Sequence, residues 1–215
     1  MTFSLLILDS TRRHMAAASA TKTLCVGASV IALESGVGGV LSQALTRPEL
    51  RGVALGEIKK RHVPTAAIEQ ALSLDEGIET RQLAVLSKSG EASMRTGTGC
   101  LPYAGGQAGS GFVVIGNLLT GPEVISVMVD TFREVSGLID LGELALEMMR
   151  AGEKAGGDAR GLQSSALLVR KMTGSQHNYV PAEIDIRVDE HSKPLAELDR
   201  ILELATSELR FRQIA

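Results

Sequence analysis

Phe3-Ser4-Leu5-Leu6-Ile7-Leu8 and, after a short polar stretch, Met15-Ala16-Ala17-Ala18-Ser19-Ala20 are short aliphatic runs bounded by polar residues, with no helical period. Residues 23–33 and 37–44 read the same way, which predicts four strands before the first helix. Two helical stretches follow, one from Pro48 and one near Thr65, where Ile68, Ala71 and Leu72 recur at three- and four-residue spacing. Both Pro48 and Pro64 sit where a first helical turn tolerates proline. Strand character returns at residues 82–87 and 91–96, joined by the turn-forming Lys88-Ser89-Gly90. It returns again at 111–119, after a glycine-rich loop.

From Pro122 the period changes. Val124, Ile125, Met128, Val129 and Phe132 share one helical face, as do Leu141, Leu144, Ala145 and Met148 on the next helix. Residues 165–171 and 183–188 read as strands around the polar loop 173–181. A last helix from Pro194 aligns Leu195, Leu198, Leu202, Ala205 and Leu209. Runs of strands kept apart from runs of helices predict an α+β fold, not an alternating α/β sheet. Residues 24–33 and 112–119 are apolar on both sides, so helices are expected to cover the sheets. No linker divides the chain, and one domain over residues 1–215 is expected.

The composition excludes several function classes. Among 215 residues there are four Phe, two Tyr and no Trp, so aromatic platforms for stacking bases are lacking. A net charge of −3 leaves no basic field for a phosphate backbone, and no nucleic-acid partner is expected. No stretch reaches the roughly 18 apolar residues of a membrane span, and the first residues lack the basic start of a secretory signal. A cytoplasmic protein with no membrane partner is expected. Cys25 and Cys100 have neither the spacing of a metal knuckle nor that of a disulfide framework, and are read as reduced thiols.

The 23 glycines invite a phosphate-loop reading, yet neither Gly36-Val37-Gly38-Gly39 nor the loop around Gly105 carries a Gly-Lys-Ser/Thr ending. Turns and close sheet contacts explain them better. His14, His62, His177 and His191 share no ligand spacing. Asp185, Asp189 and His191 alternate along one side of a predicted strand, where a salt-bridged face with Arg187 is favoured over a metal site. Thr2 is small enough for aminopeptidase removal of Met1. The exposed α-amine, with an ordinary pKa near ~8, would then be a base for its own hydroxyl. Lys22, at the entry to the third predicted strand, could keep that amine largely unprotonated.

The chain resembles the family catalogued as domain of unknown function 1028, whose members look like N-terminal nucleophile (Ntn) hydrolases. The resemblance lies in Met1-Thr-Phe-Ser-Leu5, Lys22-Thr-Leu-Cys-Val-Gly-Ala28, Ser35-Gly-Val-Gly-Gly-Val40, Ser42-Gln-Ala-Leu-Thr46 and Arg81-Gln-Leu83. It continues in Thr96-Gly-Thr-Gly-Cys-Leu-Pro-Tyr-Ala-Gly105, Gly116-Asn-Leu-Leu-Thr-Gly-Pro-Glu-Val124, Ala155-Gly-Gly-Asp-Ala-Arg-Gly-Leu-Gln-Ser-Ser-Ala-Leu-Leu-Val169 and Ile186-Arg-Val-Asp-Glu-His191. It implies a four-layer αββα sandwich of two antiparallel sheets flanked by helices.

It also implies Thr2 as nucleophile and Lys22 as the lysine that opens the family's Ser-Lys step, here Thr21-Lys22; Asn117 falls on a polar motif position, and either Asn117 or a backbone N–H near Gly116 is the candidate oxyanion donor. Asp158, Arg160, Gln163 and Asp189 fall on polar motif positions, with structural and substrate-binding roles both open. Leu8 stands where relatives have arginine, and Ile115 where they have glutamine. The function implied is hydrolysis of a small amide or peptide-like bond without cofactor or metal. The alternative is a non-catalytic Ntn-like protein that binds a ligand or partner. A homo-oligomer is open as well, although core packing explains Met128, Met148 and Met149 better than an interface does.

Overall fold

The computed structural model describes residues 2–173 and 182–214, with side chains described as far as residue 207. Met1 and His177 lie outside the described residues, as does the side chain of Leu209. The first two strands are β1 (Thr2–Leu8) and β2 (His14–Thr21). A single helical turn, α1 (Val26–Ser29), precedes β3 (Ile31–Glu34) and β4 (Gly38–Ala44). Then come α2 (Glu49–Lys59), α3 (Pro64–Leu72), β5 (Arg81–Ser87) and β6 (Ala92–Thr96). The second half runs β7 (Gly105–Gly109), β8 (Phe112–Asn117), α4 (Glu123–Val135), α5 (Leu141–Lys154), β9 (Ser164–Lys171), β10 (Ile184–Val188) and α6 (Pro194–Ile214).

A six-stranded sheet has the order β10-β9-β2-β1-β8-β7, and a four-stranded sheet the order β3-β4-β5-β6. All neighbouring strands are antiparallel. The period-2 alternation of β1 shows how the layers form. Phe3, Leu5 and Ile7 pack outward against Val124, Met128, Leu144 and Met148 of α4 and α5. Leu6 and Leu8 point the other way and meet Leu41 of β4 and Leu86 of β5. On the far side, Val40, Leu83 and Val85 pack on α2 and α3 through Leu50, Ala54, Ile68 and Ala71. The result is a four-layer αββα sandwich. Each fully buried aliphatic side chain contributes roughly 1.5–3 kcal/mol, and three such apolar layers hold the four structural layers together. Met128, Met148 and Met149 are wholly buried core residues.

Three expectations need correction. Residues 23–33 are not one strand: Cys25 takes a left-handed conformation (φ 58), α1 follows, and only Ile31–Glu34 pairs in a sheet. Leu24, expected in a strand apolar on both sides, is exposed. The glycine-rich segment is not a loop but strand β7, paired with β8 from Gly105↔Gly116 to Gly109↔Phe112. Glycine is required there because a Cβ on Gly106 would stand 2.4 Å from the Val114 carbonyl and 2.6 Å from the Met94 sulfur. Finally, β10 ends at Val188, so Asp189 and His191 do not continue its alternating face, and Asp185 is ion-paired to Arg187 at 3.0 Å.

Candidate functional site

The inter-sheet layer is apolar at one end and polar at the other, and the change is written along each central strand. On β1 the inward positions run Leu8, Leu6, Ser4, Thr2, and on β2 they run Met15, Ala17, Ser19, Thr21. Gln43 follows Leu41 on β4, Gln82 lies beyond Ala84 and Leu86 on β5, and Asn117 follows Val113 and Ile115 on β8. Leu8 and Ile115, the two positions where polar groups were expected in relatives, both belong to the apolar part of this layer.

Burial makes hydrogen bonding compulsory for these polar groups. Thr2, only 5% exposed, donates its hydroxyl to Oγ1 of Thr21 at 3.2 Å. Its carbonyl accepts from Nε2 of Gln43 at 3.1 Å. Ser4 is hydrogen-bonded to Ser19 at 2.7 Å and donates to Oε1 of Gln43 at 2.7 Å. Oε1 of Gln82 accepts from Gln43 at 2.8 Å and from Nδ2 of Asn117 at 3.0 Å. Asn117 is directly opposite Thr2 in the β1–β8 register. No side chain of this cluster is ionisable.

The strands stop abruptly beside the cluster. Ala44 after Gln43 (φ 73) and Leu118 after Asn117 (φ 52) both adopt left-handed conformations that non-glycine residues rarely take. Past Leu118, the segment 155–163 lies across the strand ends: Ala159 N–H donates to the Leu118 carbonyl and Thr120 N–H to the Gly157 carbonyl. Asp158 anchors it. Its carboxylate, with no exposed side-chain surface, accepts from the backbone N–H groups of Lys22 (3.1 Å) and Arg160 (2.9 Å) and from the Arg160 guanidinium (3.1 Å). Gln163 is tied by its own backbone N–H to the Thr21 carbonyl at 2.8 Å.

The structure therefore brings Thr2 and Asn117 together and sets Asp158, Arg160 and Gln163 in the adjoining loop, next to Thr21 and Lys22. The ammonium of Lys22 itself reaches the Leu162 carbonyl at 3.4 Å on the exposed surface. Asp189 is an exposed turn residue whose carbonyl accepts from the Cys25 N–H. Gln43 and Gln82 are the residues that sequence reasoning left without a role. Their signal was present as a lone amide at the inward, period-2 position of two otherwise aliphatic strands.

A second charged cluster flanks the same ends of β4 and β5. The Arg81 guanidinium, at 2.6 Å, holds the buried Asp75 carboxyl well below the usual carboxylate range, aided by Arg47 at 2.9 Å. Glu79 is lowered to about 2, first by the Thr98 backbone N–H, then by the Thr98 hydroxyl and Arg95. This pairing clamps residues 97–100 against the end of β5. Burial pushes the Cys100 thiol up. Among the described residues no three His, Cys, Asp or Glu side chains converge on a metal position. No described helix is long and apolar enough to cross a membrane.

The family model described as "Family of unknown function (DUF1028)" matches residues 2–198. Among solved structures, the crystal structure of a DUF1028 protein from Silicibacter pomeroyi is similar at 28% identity and a TM-score of 0.84, covering 95% of this chain and 89% of that one. An Anbu (Gly-1) mutant from Hyphomicrobium sp. strain MC1 aligns at 13% identity and a TM-score of 0.48, over 97% of this chain and 96% of that one. Anbu (ancestral beta-subunit) from Yersinia bercovieri aligns at 8% identity and 0.45, over 96% of each. No curated protein matches this sequence.

Proposed function

The chain belongs to the DUF1028 family, and from that premise we propose that it is an N-terminal-nucleophile hydrolase of a small amide or peptide-like bond. The observation that carries the reading is the position of Thr2: first residue of a central strand, hydroxyl at the polar end of the inter-sheet layer, Asn117 directly opposite. The reaction requires removal of Met1. The freed α-amine accepts the Oγ1 proton as Oγ1 bonds to the substrate carbonyl carbon, and the carbonyl electrons move onto its oxygen. Asn117 donates one amide N–H to Gln82 and keeps a second for that oxyanion. Collapse expels the amine, which takes the proton from the α-ammonium. Water, deprotonated by the same α-amine, then cleaves the Thr2 ester.

In this reading Lys22 tunes the α-amine, which requires its exposed ammonium to leave the Leu162 carbonyl. Arg160, Asp158, Gln163 and Asp189 shape the substrate side. No cofactor enters the scheme. A reducing, cytoplasmic setting belongs to the reading and is supported by the free thiols of Cys25 and Cys100.

The second reading, a non-catalytic binding protein on the same scaffold, is favoured by that outward position of the Lys22 ammonium. The deciding measurement is intact mass, followed by treatment with a β-lactone probe. The hydrolase reading expects loss of Met1 and one acyl adduct on Thr2, kept in Thr2→Ser and absent in Thr2→Ala. Retained Met1 with no adduct leaves the binding reading.

A further inference from the structure

We infer that Gln82 is the positioning residue of this site: it fixes how the Thr2 carbonyl and the Asn117 amide are presented. The consequence for catalysis rests on the hydrolase reading, but the geometry does not. Nε2 of Gln82 faces the Gly116 carbonyl at 2.7 Å, the Gly105 carbonyl at 3.0 Å and the Thr96 hydroxyl at 2.9 Å. Backbone carbonyls only accept, so this end of the amide must be the nitrogen. The opposite end is therefore an acceptor, and both groups that meet it must donate. Those are Nε2 of Gln43 and Nδ2 of Asn117.

The orientation propagates. With its nitrogen committed to Gln82, Gln43 also donates to the Thr2 carbonyl, while its oxygen accepts from Ser4. The two backbone carbonyls of Gly105 on β7 and Gly116 on β8 thus determine the direction of every amide from Gln82 to Thr2. A neutral, fully buried chain of this kind has one low-energy arrangement, because reversing any member sets two acceptors or two donors face to face. Gln82 is wholly buried and does not touch the proposed reacting atoms. It acts through Gln43 and Asn117.

The experiment combines ¹⁵N spectra of side-chain amides with the β-lactone probe. In the unmodified protein the Nδ2 protons of Asn117 and the Nε2 protons of Gln43 are expected to exchange slowly with solvent. Exchange at the rate of a free amide overturns the assignment, whether or not any variant folds. In Gln82→Met, which keeps length but neither donates nor accepts, both pairs of resonances are expected to shift. The first-order acylation rate of Thr2 should drop on the order of 100-fold, with probe affinity unchanged. Gln82→Glu, measured below the pKa of its buried carboxyl, retains one donor and one acceptor and should recover part of that rate.

Unchanged Asn117 and Gln43 resonances in Gln82→Met overturn the assignment. Shifted resonances in a protein whose unmodified form never acylates support the positioning role and sink the hydrolase reading alone.

Discussion

The backbone N–H of Lys22 donates to Oδ2 of Asp158 at 3.1 Å, a bond between residues 136 positions apart in the chain. It joins the exit of β2 to the segment 155–163. The same carboxylate binds the Arg160 backbone and guanidinium, so one buried charge organises both sides of the site's rim.

Asp158→Ala should therefore destabilise the protein by about 1.5–3 kcal/mol, the range for losing hydrogen bonds to a charged acceptor. Asp158→Asn keeps one accepting oxygen and should lose less. Urea midpoints at constant m-value measure both. Equal stability of Asp158→Ala and the unmodified protein would contradict the anchoring role.

Glu79 provides a pH-dependent clamp on residues 97–100. Its folded pKa of about 2 lies below the ordinary 4.5, so its contribution is complete above pH 4.5 and is lost as pH falls toward 2. Asp75, lowered chiefly by Arg81, has the same sign. A ¹³C titration of the Glu79 carboxyl should give a midpoint near 2. At neutral pH, Glu79→Gln should lower the exchange protection of the Thr98 amide. A midpoint near 4.5 contradicts the clamp.

The two thiols should differ in reactivity. Cys25 is exposed, whereas Cys100 is partly buried, its Sγ lies 3.4 Å from the Arg81 carbonyl, and burial raises its pKa. Iodoacetamide under native conditions should alkylate Cys25 first, and Cys100 at a comparable rate only after denaturation. Peptide mass spectrometry reads this directly, and equal native rates would contradict the described environment of Cys100.

Gly39 lies where the two sheets pack tightly against each other. A Cβ there would stand 2.5 Å from a Leu33 methyl, 2.9 Å from a Leu6 methyl and 2.9 Å from the Met15 sulfur. Gly39→Val forces these layers apart and should cost about 1–3 kcal/mol, seen as a lower thermal midpoint. The paired variant Gly39→Val with Leu6→Ala should recover part of the loss.

The sequence by itself determined the order of the elements apart from α1 and β7, and placed most of their ends within a residue or two. Period-2 runs such as Phe3 to Leu8 and period-3.6 faces such as Val124, Ile125, Met128 and Val129 are local properties, set by which side of a strand or helix is apolar. Strand β7 escaped because a run of glycines has no side-chain period to read, and its pairing is carried by backbone groups alone. Residues 23–33 misled for the converse reason. Their apolar content suits a strand, but the left-handed Cys25 and the Val26 N–H bonded to Ser164 turn the backbone into α1.

Thr2 was legible as a site candidate from the chemistry of an N-terminal threonine as well as from resemblance to a family, and Asn117 through that resemblance alone. Lys22 was proposed as the neighbour of Thr2, whereas its ammonium lies at the Leu162 carbonyl. Partnership of this kind was decided by tertiary structure. Gln43, Gln82 and Asn117 come from three strands in two sheets, and only the stacking of those sheets buries them together. Once buried, they must satisfy one another because no solvent reaches them, and that requirement, absent from any single strand, gives the site its arrangement.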